Sequence, residues 1–506
     1  MYTQYNMNQL FLPLELSDLI EPNHIVFKIN DFIEQMDTSF LNSFYQEEGR
    51  PAYHPLLMIK ALLFAYTEKT FSGRAIEKMM RENIPMKWLV ADTEVSYRTI
   101  NRFRSSDLCS KMLESVYVEF KQYLLERSLI SNEHLFIDGT KIEANANKYS
   151  FVWKKATDRF LARLKEKEID YYRNEILPTV EKEILKDEVD SLSIEDIKAL
   201  QFFIEQSLEE VNDSIENWPQ VSPDPRKQKR RKLKKHLRKI VDDFLKRELK
   251  YAQYYQTFDG RNSFSKTDPD ATIMRMKEDP MLNGQLKPGY NLQIATENQF
   301  VLAYEIYPNP TDTKTLLPFV EGMADKPSFI VADAGYGSQE NLERLDALKI
   351  NHIIKYNQFD KEQTKKHQRS SRNIKNWKYD ASNQAFCHPD GTLYYYHHTK
   401  NRKTSTGYET KVEIYYPLDR ESAPQKSFSY NRDYQELKEK ESAKLLSQEG
   451  SALFSCRKKD VEPVFGQFKQ NLKFRRTHLR GKKKVNTDIG LVLMANNLIK
   501  VRNRTK

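Results

Sequence analysis

Leu135-Phe136-Ile137-Asp138-Gly139 and, far downstream, Phe329-Ile330-Val331-Ala332-Asp333-Ala334-Gly335 are the two stretches on which the reading turns. Each is apolar at every position rather than at alternate ones. A strand of that kind is covered on both faces, so it belongs in a sheet flanked by helices. Each run closes on an aspartate, at 138 and at 333, with glycine one or two residues later. The carboxyl ends of strands in such sheets open into the crevice where ligands bind. Two carboxylates on neighbouring strand ends suit a hard cation such as Mg2+, which takes oxygen ligands and shares them with substrate phosphates. Asp-Gly is also an ordinary turn signal, and for each aspartate alone that reading stands beside the first.

Upstream, residues 16 to 128 read as helical. Pro55 marks a helix start, and Leu56, Ile59, Leu62 and Leu63 recur at helical spacing. A second amphipathic stretch covers Ala75–Arg81, and a third, Ser96–Phe103, carries Arg98, Arg102 and Arg104 at or beside it. Short helices ending in a basic one fit a DNA-binding module and fit plain helical packing equally well. Lys154–Tyr255 is charged and helical. It contains Arg226–Lys239, where ten of fourteen residues are Lys or Arg, as phosphate-tracking or as solvated helix surface. Tyr149 and Trp153, just before it, suit base stacking or core packing.

Between the two aspartates, Tyr290–Thr296 and Phe300–Ile306 read as a hairpin. Asp268, Asp270 and Asp312 read as turn or structural residues. Asn357–Trp377 is polar and reads as a mobile stretch, residues 378 to 430 alternate in β fashion, and the last sixty residues return to helix. The expected segments are 1–128 (helical, DNA-binding), 129–153 (core, first part), 154–258 (basic helical insertion), 259–356 (core, second part), 357–447 (β-rich insertion) and 448–506 (helical end of the core).

Composition narrows the partners. The 506 residues carry a formal net charge of +10, which favours a polyanion, because each neutralised phosphate releases condensed counterions. Only three cysteines occur, at 109, 387 and 456, with no paired spacing, so neither a zinc ribbon nor a disulfide framework is expected. Met1–Leu12 lacks the basic-then-apolar layout of a leader, and Leu56–Tyr66 is too short to span a bilayer, so a cytoplasmic protein is expected.

Near the C-terminus, Arg457-Lys458-Lys459-Asp460-Val461-Glu462-Pro463 reads as a helix start, with Asp460 as N-cap and Pro463 in the first turn. Glu462 then lies near the positive helix end, and Lys469 two turns further along the same face. A solvated surface pair would look the same. Arg475, Arg476, Arg480 and Lys482–Lys484 follow at once and suit phosphate contact.

Taken together these blocks resemble the DDE transposases of the IS1182 type, within the IS4-like group. FIDGTKIEANANKYSFVWKK (136–155) resembles the block of the first aspartate and VADAGYGSQENLERL (331–345) that of the second. VEPVFGQFKQN (461–471) with FRRTHLRG (474–481) resembles the glutamate block. TDPDATIMRMK (267–277), GYNLQIATE (289–297) and NPTDTKTL (309–316) match further blocks in order, and HPLLMIKALLFAYTEKTFSGRAIE (54–77) resembles the helical N-terminal domain.

The resemblance implies an α/β RNase H-like catalytic core with a helical N-terminal domain, a helical insertion and a β-rich insertion. It gives Asp138, Asp333 and Glu462 the metal-binding roles and Lys469 a phosphate contact. Lys141, Arg457, Lys458, Arg475, Arg476 and Arg480 join Arg98, Arg102 and Arg104 as expected DNA contacts. The family's arginine four residues before the glutamate is Lys458 here, and its tyrosine three residues earlier is Ser455; Arg457 is the nearest substitute. The implied cofactor is a pair of Mg2+ ions about 4 Å apart, with Mn2+ as the alternative ion. The implied partners are double-stranded DNA, as terminal inverted repeats and target, and a second copy of the chain on that DNA. The implied reaction cleaves element ends and joins the 3′-OH to target DNA. A DNA-binding derivative without catalysis, and a nuclease that cuts without joining, are the competing classes.

Overall fold

The computed structural model describes residues 15–44, 52–180, 191–219, 222–276, 284–421 and 423–505; the Met1–Leu12 segment lies outside them. The chain forms two compact units, one of Met1–Asn145, Met274–Gln285 and Gly289–Lys506, the other of Ala146–Ile273 with Leu286–Pro288.

The first unit opens with helices α1 (Ile25–Glu34), α2 (Pro55–Thr67), α3 (Gly73–Glu82), α4 (Ile84–Leu89), α5 (Tyr97–Arg104) and α6 (Asp107–Glu126). Ser96 caps α5 through the amide of Thr99. Arg98 and Arg102, one turn apart, face solvent. Arg104 departs from the expected DNA face. Two residues past Arg102 the helix has turned by about 200°, and Arg104 is buried. Its guanidinium donates to the Tyr66 hydroxyl (3.0 Å), the Phe71 carbonyl (2.7 Å) and Asn101 (3.0 Å), and lies 3.7 Å from Asp488. It is a core cross-link and not a DNA contact.

The sheet that follows contains β1 (Leu135–Glu143), β2 (Leu286–Glu297), β3 (Phe300–Tyr307), β4 (Phe329–Ala332) and β5 (Asn351–Ile354). They lie in the order β3–β2–β1–β4–β5, the first three antiparallel and the last three parallel, and a sixth short strand, Thr272–Arg275, also adjoins β2. Asn298 and Gln299 both adopt positive φ (54° and 63°), as a two-residue hairpin between β2 and β3 demands. Leu135, Ile137, Ile330 and Ala332 bury one face against Leu316, Phe319 and Val320 of α7 (Leu316–Gly322) and Leu342 and Leu345 of α8 (Gln339–Ala347). β1 runs further than expected. Along β2 its pairing continues from Phe136 to Glu143, with Asp138 opposite Ile294, whereas along β4 it stops at Ile137↔Ala332. Asp138 is therefore inside the strand on one side and at its end on the other.

A five-stranded antiparallel meander follows: β6 (Lys378–Asp380), β7 (Ala385–Cys387), β8 (Leu393–Lys403), β9 (Glu409–Pro417) and β10 (Phe428–Tyr430), packed on Trp377, Phe386, Tyr394 and Tyr415. Residues 357–377, expected to be mobile, instead hold short helical turns at Phe359–Glu362, Lys365–Gln368 and Ile374–Asn376, and the Trp377 indole donates to the Ser371 carbonyl (2.6 Å). All three cysteines are free thiols. Helices α9 (Arg432–Leu446), α10 (Gln448–Gly466) and α11 (Lys482–Arg504) complete the unit. The Asn497 amide clamps α11 to β3 by exchanging bonds with both backbone groups of Val301 (2.9 and 2.8 Å).

Helix α10 corrects the reading of the glutamate block. It begins at Gln448 behind a Ser447 cap, twelve residues before Asp460. Pro463 sits inside it, not in a first turn, so Glu462 is remote from the positive helix end. Proline cannot donate to the carbonyl four residues back, and that carbonyl, of Lys459, is taken by the Gln299 side-chain amide (2.9 Å). Asp460 is no cap either: its carboxylate accepts from Thr296 Oγ1 (2.6 Å) and the Gln299 amide (3.0 Å).

The second unit is a helical bundle of Lys154–Tyr171, Ile194–Asn217, Pro225–Arg238 and Lys246–Phe258, closed at its base by a ribbon in which Val152 pairs with Phe264. Leu164, Ile197, Leu200, Ile204, Leu233 and Phe244 form its core. On the basic helix Leu233 and His236 point inward, while Arg231, Lys232, Lys234, Lys235 and Arg238 are exposed. Tyr149 is 79% exposed and Trp153 37%, so neither is a core residue.

Candidate active site

The register of β1 against β4 positions the site. Ile137 and Ala332 are the last parallel pair, so Asp138 and Asp333 follow side by side on strands roughly 4.8 Å apart. Both carboxylates are turned by the backbone that follows them. Asp138 Oδ1 accepts the Gly139 amide (2.8 Å) and Asp333 Oδ1 the Gly335 amide (2.8 Å).

A third carboxylate stands at the same strand ends. Asp312 Oδ1 accepts from Asn291 Nδ2 (2.7 Å) and Gln293 Nε2 (3.1 Å), both on β2. A Cβ on Gly139 would meet Asp312 Oδ1 at 2.8 Å and collide with the Gln293 amide, which is why that strand position carries no side chain. The Gln293 carbonyl accepts from the buried Tyr336 hydroxyl. Burial pushes the Tyr336 phenol well above its usual range, and the charges of Asp312, Asp138 and Asp333 push it the same way. The sequence placed Asp312 in a turn, where the structure has it, but did not reveal the two amides that donate to it. The available signal was Asn291 and Gln293, two amides on one face of an otherwise apolar strand, which require a buried partner.

Helix α10 covers the opposite face. Arg457, 6% exposed, donates from Nη1 to Asp138 Oδ2 at 2.7 Å, and its Nε is buried without an acceptor. Beyond Gly466 the helix widens into a π turn, Gln467–Asn471, which carries Lys469 inward; its ammonium donates to Thr140 Oγ1 (2.7 Å). Arg457 and Lys469 thus reach two residues on one face of β1. Glu462 lies between them on α10 but is exposed, and makes no hydrogen bond or ion pair among the described residues. Among those residues no three His, Cys, Asp or Glu side chains are gathered closely enough to hold one metal ion. The structure therefore brings Asp138 and Asp333 together and leaves Glu462 outside their group.

The expected DNA contacts divide. Arg475, Arg476 and Arg480 are exposed on a segment that adds to the end of β1, where the Thr477 amide donates to the Glu143 carbonyl (2.8 Å). Arg476 Nε donates to the Ala144 carbonyl (3.2 Å) and Arg480 Nε to that of Asn145 (2.7 Å). Arg475 donates to Gln470 and to the Lys469 carbonyl. Lys458 is exposed, and Lys141, half-buried, donates to the Arg275 carbonyl (3.1 Å).

Two strand-end carboxylates in a basic protein thus face a helix that carries Arg457 and Glu462, with Lys469 in the turn beyond it. Residues 263–498 match the family model described as Transposase DDE domain, and residues 14–106 match that described as Transposase domain (DUF772). The chain belongs to the DDE transposases, and the pairing of these two domains is typical of the IS1182 family. Asp138 falls outside the matched residues, so its place in the site rests on the strand register alone. No curated protein and no solved structure matches the chain. As transposases do, the protein acts on DNA, and DDE transposases generally use divalent metal ions. No helix among the described residues is long and apolar enough to cross a membrane.

Proposed function

We propose that the protein cleaves the ends of an insertion sequence and joins the freed 3′-OH groups to target DNA, within an RNase H-like core. The observation that carries this reading is the Ile137↔Ala332 register, which aligns Asp138 with Asp333 at a single crevice. The mixed order, three antiparallel strands followed by two parallel ones, supports that reading of the core.

The donor set fits hard cations. Asp138 and Asp333 offer carboxylate oxygens at neighbouring strand ends, the kind of donor that a hard cation takes. Asp138, Asp333 and Glu462 are the residues that would hold Mg2+, or Mn2+ in its place. When bound, two such ions lower the pKa of the attacking water or hydroxyl and stabilise the leaving 3′ oxygen. The chain's own residues do the rest. The Arg457 guanidinium neutralises Asp138, and would be free to bond a DNA phosphate if a cation took over that charge. Lys469, on the same face of β1, supplies a second positive charge to the DNA strand, and Glu462 is exposed on the helix between Arg457 and Lys469. Arg475, Arg476 and Arg480 hold the backbone at the end of β1, with Arg98, Arg102 and the basic helix of the insertion supplying further phosphate contacts. Two copies of the chain pair the two inverted repeats.

The test is Mg2+-dependent cleavage of a duplex carrying the gene's own flanking ends. Asp138→Asn and Asp333→Asn abolish cleavage while leaving DNA binding intact. Full cleavage by either purified variant would falsify the assignment.

A further inference from the structure

We infer that the polar cavity between residues 358–377 and α9 is a phosphate-binding site, in which Arg372, Lys375 and Lys438 hold a backbone phosphate of the DNA that enters the Asp333 crevice. This site depends on the reading just given and adds to it a contact from a part of the chain outside the carboxylate group.

The cavity holds about 340 Å3, the size of a small-ligand site, and is bordered by residues 358–377 on one side and by β10 and the first turns of α9 on the other. Three cations line it, Arg372, Lys375 and Lys438, against one carboxylate, Glu362. That carboxylate is already engaged. It accepts from the Tyr356 hydroxyl (2.8 Å) and lies 3.6 Å from the Lys375 ammonium. The side chains of Arg372 and Lys438 make no hydrogen bond and no ion pair among the described residues. Lys438 is half-buried and rests over the rings of Tyr434 (4.6 Å) and Tyr356 (5.6 Å). Burial lowers the pKa of its ammonium, and the opposing pull of Glu362 does not make up for it. A cation taken partly out of water without a counter-ion is unfavourable until an anion joins it. His367 adds a fourth basic group to the wall, and its Nδ1 is buried without a partner.

The basic loop is held in shape. Asn376 Nδ2 donates to the carbonyls of Gln368 (2.8 Å) and Ser370 (2.9 Å), and the Trp377 indole to that of Ser371, so the turn that carries Arg372 is closed by bonds across it. Its place points to DNA as the source of the phosphate. Tyr434 lines the cavity and donates its hydroxyl to the Gly337 carbonyl (3.0 Å), in the loop that leaves Asp333. The chain joins the cavity wall at Gln358, four residues past the end of β5, and β5 ends level with β4 at Ala332↔Ile354. The cavity therefore stands at the same end of the sheet as Asp138 and Asp333. A DNA strand crossing these strand ends passes beside it, and a basic pocket there takes a phosphate and positions the strand without reading its sequence.

The test uses the full chain in EDTA, so that no strand is cut. Binding of a fluorescent duplex is followed by anisotropy over a range of salt, and melting is measured with and without inorganic phosphate or thymidine monophosphate. The variants are Arg372→Ala alone and Arg372→Ala with Lys438→Met, the methionine keeping an unbranched stem against the tyrosine rings. The expected result for the double variant is a salt slope shallower by about 1 and duplex binding weaker by roughly tenfold, with melting in the absence of ligand no lower than that of the wild type. An unchanged slope overturns the assignment of a DNA phosphate. If phosphate or the nucleotide then raises the melting temperature of the wild type and not of the double variant, the cavity takes free phosphate compounds instead of DNA; if neither does, it is no anion site. Should the double variant melt lower, Arg372→Ala decides alone, because its side chain has no partner to lose: a shallower slope supports the site and an unchanged one refutes it. The slope does not depend on sequence, so an unrelated duplex tests the cavity even if the element ends prove wrong. Cleavage of the end duplex by Asp333→Asn in Mg2+ sinks the active-site reading and leaves the result at the cavity standing.

Discussion

Replacing Arg457 by methionine removes the guanidinium from Asp138 while keeping an unbranched apolar stem of similar reach. The bond lost is 2.7 Å long, and Arg457 is 6% exposed, so the partner left behind is a partly buried carboxylate without its counter-charge. Breaking a buried ion pair from one side costs about 3–5 kcal/mol. The value belongs at the low end, about 3 kcal/mol, because the Asp138 side chain keeps 16% exposure and still accepts the Gly139 amide. Most of that cost is the stranded charge, so Asp138→Asn in the same background recovers about 2 kcal/mol of it, a coupling that a double-mutant cycle isolates. Because a cation replaces what the arginine supplied, millimolar Mn2+ stabilises Arg457→Met more than it stabilises the wild type. The assay is urea unfolding in EDTA and in Mn2+ for the wild type, both single variants and the double variant. A coupling within about 0.5 kcal/mol of zero, or equal Mn2+ stabilisation of wild type and Arg457→Met, refutes the reasoning.

Other outcomes follow from the same structure. Arg104→Met strips four partners, three of them buried, of their donor or counter-charge and destabilises the first unit by about 3 kcal/mol or more, read as a fall in its melting temperature. In the helical insertion, burial, with Glu248 adding to it, pushes the Glu168 carboxyl up to about 8 from an ordinary 4.5. The folded form thus holds a proton that the open chain releases. That contribution is fully present below about pH 4.5 and is lost as pH rises through about 8, on the order of 5 kcal/mol in all. Glu168→Gln flattens this dependence, and urea melts of the protein at pH 5 and pH 8 measure it; an unchanged slope contradicts the burial argument. Replacing Arg475, Arg476 and Arg480 together by alanine weakens DNA binding across sequences and lowers the salt slope by roughly 2–3, at about 0.9 per phosphate contact. An unchanged slope in a fluorescence-anisotropy titration places phosphate contact elsewhere.

The two apolar runs closing on Asp138 and Asp333 were legible because burial on both faces leaves a continuous hydrophobic signature. The extension of β1 to Glu143 was not, since Thr140 and Lys141 break that signature and only pairing with β2 reveals the strand. The helix bearing Glu462 was recognised but started thirteen residues late. Asp460 and Pro463 mimic a helix opening, whereas tertiary bonds from Thr296 and Gln299 make them interior residues. Arg104 was grouped with Arg98 and Arg102 by sequence proximity, although helical periodicity already turned it the other way. Asp312 was read as a turn residue, which it is; its partners lie on a strand some twenty residues away, and a turn-forming aspartate looks the same with or without them.

The hairpin-closed insertion has a consequence for synthesis. Between Glu143 and Leu286 the ribosome adds 142 residues, so β1 emerges long before the strand that must lie along it. At about 5–20 residues per second, its edge waits roughly ten seconds or more without a neighbour. The pairing of Val152 with Phe264 shortens that exposure in space if not in time. Once the bundle folds, it returns the nascent chain to within a strand's width of where it left, and the search for register shrinks from a long loop to a short one.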